Sequence, residues 1–105
     1  MEITKESWLQ WARGNHPRLH KYLQEMADKK LDDAIESLMG SGVNILFECV
    51  KYYDAKRINL LKRKLEDTFF NRLLLDNVDS CNIFMIAMEY PKDTAFMHIT
   101  ELVEE

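Results

Sequence analysis

The sequence predicts a helix-dominated α+β domain, with three to four helices around a central amphipathic helix at about residues 54–76 and a C-terminal β-hairpin. Three observations predict it. Apolar residues recur at helical spacing as far as residue 76, punctuated by capping residues and glycines. Residues 54–76 carry the clearest of these patterns. After Ser80 the character changes to two short apolar runs on either side of Pro91, Lys92 and Asp93. A small all-α bundle is the alternative, in which those last runs are two short helices.

The elements follow in order. Thr4 suits a helix N-cap, because its hydroxyl can accept a free backbone N–H at the start of "KESWLQWAR". Ile3 and Trp8 flank it at the two positions of a hydrophobic staple. Gly14 ends that helix, and Pro17 fits the first turn of a second, capped by Asn15 or His16. Leu19, Tyr22, Leu23 and Met26 form the second helix's apolar stripe. The next segment continues it or restarts at Asp28, with Leu31, Ala34, Ile35 and Leu38 at helical spacing and Gly40 as the stop. Residues 43–53 have strand-like composition. Asn44, Glu48 and Lys51, however, fall at the i, i+4, i+7 spacing of a wet stripe on a buried helix, which favours helix.

From a cap at Asp54, residues 54–76 place Ile58, Leu61, Leu65, Phe69 and Leu73 on one face. In residues 82–103, proline at the second position of a type I turn would push Tyr90 into an extended conformation. Two apolar runs around such a turn read as a hairpin. Under the helical alternative, Asp93 or Thr94 caps a helix with Phe96, Ile99 and Val103 on one face.

Composition sets the limits. A chain of 105 residues is expected to form one globular domain over 1–105. At that size, folding removes ~65% of the unfolded surface from water. Hydrophobic residues make up 47% and charged residues 30%, with three glycines, which excludes a disordered tail. The start, "MEITKESW", lacks the basic flank and apolar run of a secretory signal. The longest apolar run, Ile83 to Met88, is too short to cross a bilayer. With two cysteines, Cys49 and Cys81, the expectation is a cytoplasmic protein with buried free thiols and no membrane contact.

Residues 56–64 raise the question of nucleic acid, since Lys56, Arg57, Lys62, Arg63 and Lys64 are five cations in nine residues. At about 100° per residue these side chains spread around most of the polar arc of a helix. Glu66 and Asp67 follow Lys62 and Arg63 at i+4, within reach for local pairs. A phosphate-tracking surface gathers its cations on one stripe. The run therefore reads as a solvated helix face. The formal net charge of −4 also argues mildly against a dedicated nucleic-acid binder.

On the same helix Leu60, Phe70 and Leu74 cluster opposite the main stripe, beside Lys56, Arg63 and Asp67. Either the helix is packed on two sides, or these residues form an apolar patch rimmed by charge, the anatomy of a protein–protein contact.

No constellation carries chemistry. His16 and His20 have the i, i+4 spacing of helix-borne metal ligands, but no nearby group completes a tetrahedral set, so no metal is expected. Cys49 sits in an apolar run without a local cation to activate it, and His98 has no evident nucleophile to serve. Asp76 and Asp79 lack the spaced oxygens of a calcium loop. Trp8 and Trp11, like Met85, Met88 and Met97, suit core packing or, less often, an adaptable contact surface. The glycines end helices and do not cradle phosphate.

The expectation is a non-catalytic intracellular interaction module, an adaptor or inhibitor that occludes a larger protein, of the kind phages and mobile elements encode. It needs no cofactor, and Lys56, Leu60, Arg63, Phe70 and Leu74 are the expected partner-binding residues. The alternatives are a nucleic-acid-associated regulator using residues 51–72 and a homo-oligomeric structural protein.

Overall fold

A computed structural model describes residues 3–89 and 93–104, and every regular element within them is a helix. The order is α1 (Lys5–Ala12), α2 (Pro17–Glu25), α3 (Asp28–Gly40), α4 (Ile45–Lys51), α5 (Ala55–Lys64), α6 (Asp67–Leu74), α7 (Ile83–Glu89) and α8 (Asp93–Glu104). The fold is the all-α alternative, and the expected α+β class is wrong.

Local chemistry sets the first helix ends. Thr4 accepts the Ser7 N–H at 3.1 Å and caps α1, with Ile3 packed against the core. Gly14 (φ 81°) closes α1 in a Schellman motif, its N–H bonding the Trp11 carbonyl while the Asn15 N–H bonds that of Gln10. His16, not Asn15, caps α2, its Nδ1 accepting the Leu19 N–H. Extended backbone at Met26 and Ala27 separates α2 from α3, so the chain restarts at Asp28. At the end of α3 the left-handed residue is Gly42 (φ 85°), two positions beyond the expected stop.

The centre of the molecule is α4, not residues 54–76. Five of its seven residues (Ile45, Leu46, Phe47, Cys49 and Val50) are buried, and it packs against α1, α3, α5, α6 and α7. Residues 43–53 thus resolve as helix, with apolar residues on nearly every side because neighbours surround it.

The expected helix at 54–76 is broken. Leu65 and Glu66 are extended (ψ 148° and 139°), dividing it into α5 and α6. Charge suits the break: Lys62, Arg63 and Lys64 face the negative end of α5, and Asp67 lies in the first turn of α6. Packing explains it. On an unbroken helix Phe70 and Leu74 point away from Ile58 and Leu61; after the two-residue interruption all four, with Leu60, Leu65 and Leu73, enter one core.

Lys64 secures this junction. Its ammonium donates to the carbonyls of Gln24 and Met26 and lies 3.5 Å from an Asp28 carboxylate oxygen, tying the end of α5 to the α2–α3 connection.

The C-terminal hairpin does not form; α7 and α8 stand in its place, with α7 packed against α4 and α8. The Asn82 side chain accepts the Met85 N–H at 3.0 Å and starts α7. Ile83, Ile86 and Ala87, and then Ala95, Ile99 and Leu102, are buried at helical intervals. The hairpin read from a turn between two apolar runs loses because a helix puts these residues on one buried face. Of the face expected for a C-terminal helix, Ile99 is buried while Phe96 and Val103 are exposed. The turn expected at Pro91 and the extended conformation of Tyr90 lie outside the described residues.

Candidate functional site

The structure divides the five expected partner-binding residues. Lys56 and Arg63 are exposed, whereas Leu60, Phe70 and Leu74 are buried in the core. The apolar cluster opposite the main stripe is internal packing, and those three side chains cannot meet a partner while the fold is intact.

The basic run is dispersed as well. Arg57 is buried, Lys62 lies over the Phe70 ring at 5.2 Å, and Lys64 caps α2. No single stripe collects all five cations.

Exposed apolar surface lies elsewhere. Of the seven large hydrophobic side chains exposed among the described residues, five belong to α7 and α8: Met85, Met88, Phe96, Met97 and Val103. Met88 is 70% exposed and Met97 63%. Met85 and Met88 are one turn apart on α7, and Phe84 meets Phe96 edge-on at 5.6 Å, joining the two helices. Glu89, Glu101 and Glu104 are exposed on the same helices, whose described residues include no lysine or arginine. His98 Nδ1 lies 3.0 Å from the Tyr53 hydroxyl, fastening α8 to the α4–α5 connection. Burial pushes the Tyr53 phenol above its ordinary pKa, with the Asp54 carboxylate adding to the shift.

A second site is a cavity of about 180 Å³ lined by Trp11, Gly14, His16, Pro17, His20, Asp54, Lys56 and Arg57. Arg57 is only 7% exposed. One guanidinium nitrogen donates to Asp54 Oδ2 at 3.2 Å, another to the Tyr52 carbonyl at 2.8 Å, and Nε is buried without a hydrogen-bond partner. Gly14 makes room for it: a Cβ there would stand 3.1 Å from Nη1.

The indole Nε1–H of Trp11 donates to His20 Nδ1 at 3.1 Å. Because indole only donates, neutral His20 carries its proton on Nε2. Desolvation lowers the His20 pKa, and Arg57 lowers it further.

The remaining candidates serve structure. His16 and His20 each commit Nδ1 to an internal hydrogen bond. Cys49 has a cation beside it after all, Arg57, but desolvation outweighs that charge and the thiol pKa is pushed up to about 12. Cys49 is buried as expected; Cys81 is only partly so. Among the described residues no group of three or more His, Cys, Asp or Glu side chains could hold a metal ion. No helix among them is long and apolar enough to cross a membrane. Comparison with known families, curated proteins and solved structures finds no match to this chain.

Proposed function

We propose that the protein is a non-catalytic, cytoplasmic interaction module, an adaptor or inhibitor, that docks a partner protein on the exposed face of α7 and α8. The observation that carries this reading is the concentration of exposed apolar side chains on those two helices. Three are methionines, whose unbranched, polarisable side chains adapt to a partner's surface.

The rim selects the partner's chemistry. Glu89, Glu101 and Glu104 favour an apolar segment flanked by lysine or arginine. A second copy of this chain would bring the same carboxylates, so a different protein is the better complement. Lys56 and Arg63 remain on the surface as secondary contacts.

The test is the double variant Met88→Asp with Met97→Asp. Both side chains are exposed, so its circular dichroism should match the parent while partner capture from nuclease-treated lysate is lost. If the folded variant captures the same proteins as the parent, the docking face is elsewhere. A dimer by light scattering that this variant dissolves would turn the reading to self-assembly.

A further inference from the structure

From the cavity at the junction of α1, α2 and α5, we infer that the protein binds a small phosphate-type oxyanion, either free phosphate or a phosphate monoester, between Gly14, His16, Lys56 and Arg57. This site is independent of the α7–α8 face. Three features of its construction converge on an anion.

The first is charge. The lining holds Lys56 and Arg57 against one carboxylate, Asp54. That carboxylate is already spent: Oδ1 accepts the Lys56 N–H at 2.9 Å and Oδ2 accepts from Arg57. Lys56 is exposed at the cavity and is not the cation that Asp54 pairs.

The second is the backbone. Both α2, nine residues long, and α5, ten residues long, begin at this cavity, through His16 and Pro17 in one case and Asp54 and Lys56 in the other. These two N-termini bring partial positive charge to the cavity, set against the partial negative charge of the α1 end at Trp11 and Gly14.

The third is the buried guanidinium, which makes this a built site and not a surface cluster. Arg57 is more than nine-tenths buried and forms the cavity wall beside Gly14, with Nη1 donating to Asp54 Oδ2, Nη2 to the Tyr52 carbonyl, and the Cys49 sulfur as a further partner. Burying a cation is costly unless its donors are satisfied. Nη1, the guanidinium nitrogen beside Gly14, carries a second N–H that an oxyanion in the cavity would accept, and a planar fork of donors matches phosphate geometry. His20 lies in the same field: desolvation lowers its pKa most, Arg57, Lys56 and Arg63 lower it further, and Asp54 opposes them.

The experiment titrates the full chain with inorganic phosphate and, separately, phenyl phosphate at constant ionic strength. Backbone amide resonances and the Trp11 indole N–H are followed by NMR. The expected result is saturable shifts at Gly14, Lys56, Arg57 and the Trp11 indole. Lys56→Gln, an exposed change that leaves the fold intact, should weaken binding at least fivefold. Lys29→Gln, on α3 and outside the cavity, should leave it unchanged. Tighter binding of phenyl phosphate assigns a monoester; equal binding assigns the phosphate group alone. Absence of saturable shifts at these positions overturns the inference. Equal weakening by the two variants also does so, because it would mean diffuse electrostatic attraction without a site.

Discussion

The Asn44 side-chain amide donates to the backbone carbonyl of Leu73 across 2.9 Å, joining the start of the central helix α4 to the end of α6. Its Oδ1 simultaneously accepts the N–H groups of Leu46 and Phe47, at 3.0 and 3.3 Å. One buried side chain therefore satisfies helix groups at both ends of a contact separated by 29 residues in sequence. Asn44→Ala removes the cap and leaves the Leu73 carbonyl without its partner, for a combined loss of about 2–4 kcal/mol. Urea denaturation checks this. Asn44→Asp keeps the accepting oxygen but loses the donor, so at neutral pH it should also fall below the parent.

The connection from α6 to α7 holds the clearest backbone strain. Asp79 and Ser80 both have positive φ, 53° and 65°, inside a tight turn whose ends, Val78 and Cys81, exchange two backbone hydrogen bonds of 2.9 Å. Aspartate tolerates this conformation; serine at the second position is the poorer fit, and glycine is the preferred residue there. Ser80→Gly should stabilise the protein by about 0.5–1 kcal/mol, relief of the left-handed conformation outweighing the added freedom of the unfolded chain. The midpoint of chemical denaturation should rise with an unchanged slope. A lower midpoint would mean the Ser80 side chain contributes more than its backbone costs.

The two thiols should differ in reactivity. Cys49 is fully buried with a pKa near 12, so at pH 8 almost none of it is thiolate, whereas Cys81 is partly exposed. A disulfide reagent should modify Cys81 in the native protein and both cysteines after unfolding, as read by mass spectrometry of peptide fragments. Modification of native Cys49 would mean that α4 opens to solvent on the timescale of labelling.

Part of this architecture is legible in the sequence because it is local. Thr4, His16, Gly14 and Asp54 act on residues within a turn or two, and their chemistry names their positions. The break at Leu65 and Glu66 is not local: both flanks of "LKRKLEDTFF" are competent helix formers, and tertiary packing decides where the chain bends. Its trace is a phase change, from buried Ile58, Leu61 and Leu65 to buried Phe70 and Leu74 on the opposite side. Two stripes on opposite sides of one hypothetical helix are the pattern of two helices facing one core.

The misassigned hairpin has a similar cause. Proline between apolar runs marks a reversal of direction without specifying strands, and the intervals among Ile83, Ile86, Ala95, Ile99 and Leu102 carry the helical period. Accepting helices there exposes the Met85–Met88 stripe at once. Arg57 was less accessible to sequence reasoning. A helical wheel assigns every arginine to water, and only the fold brings Gly14 and the Tyr52 carbonyl to its guanidinium.

The proposed docking face is tested most directly through its methionines. In protein carrying isotopically labelled methionine methyl groups, a synthetic amphipathic helix with a leucine face flanked by lysines should shift Met85, Met88 and Met97 together and saturably. Met26 and Met39, packed in or against the core, should not move, and a peptide with glutamates replacing the lysines should leave all five unchanged. Shifts confined to Met26 and Met39, or none at the three exposed methyls, would contradict an acidic-rimmed apolar face that recognises basic-flanked segments.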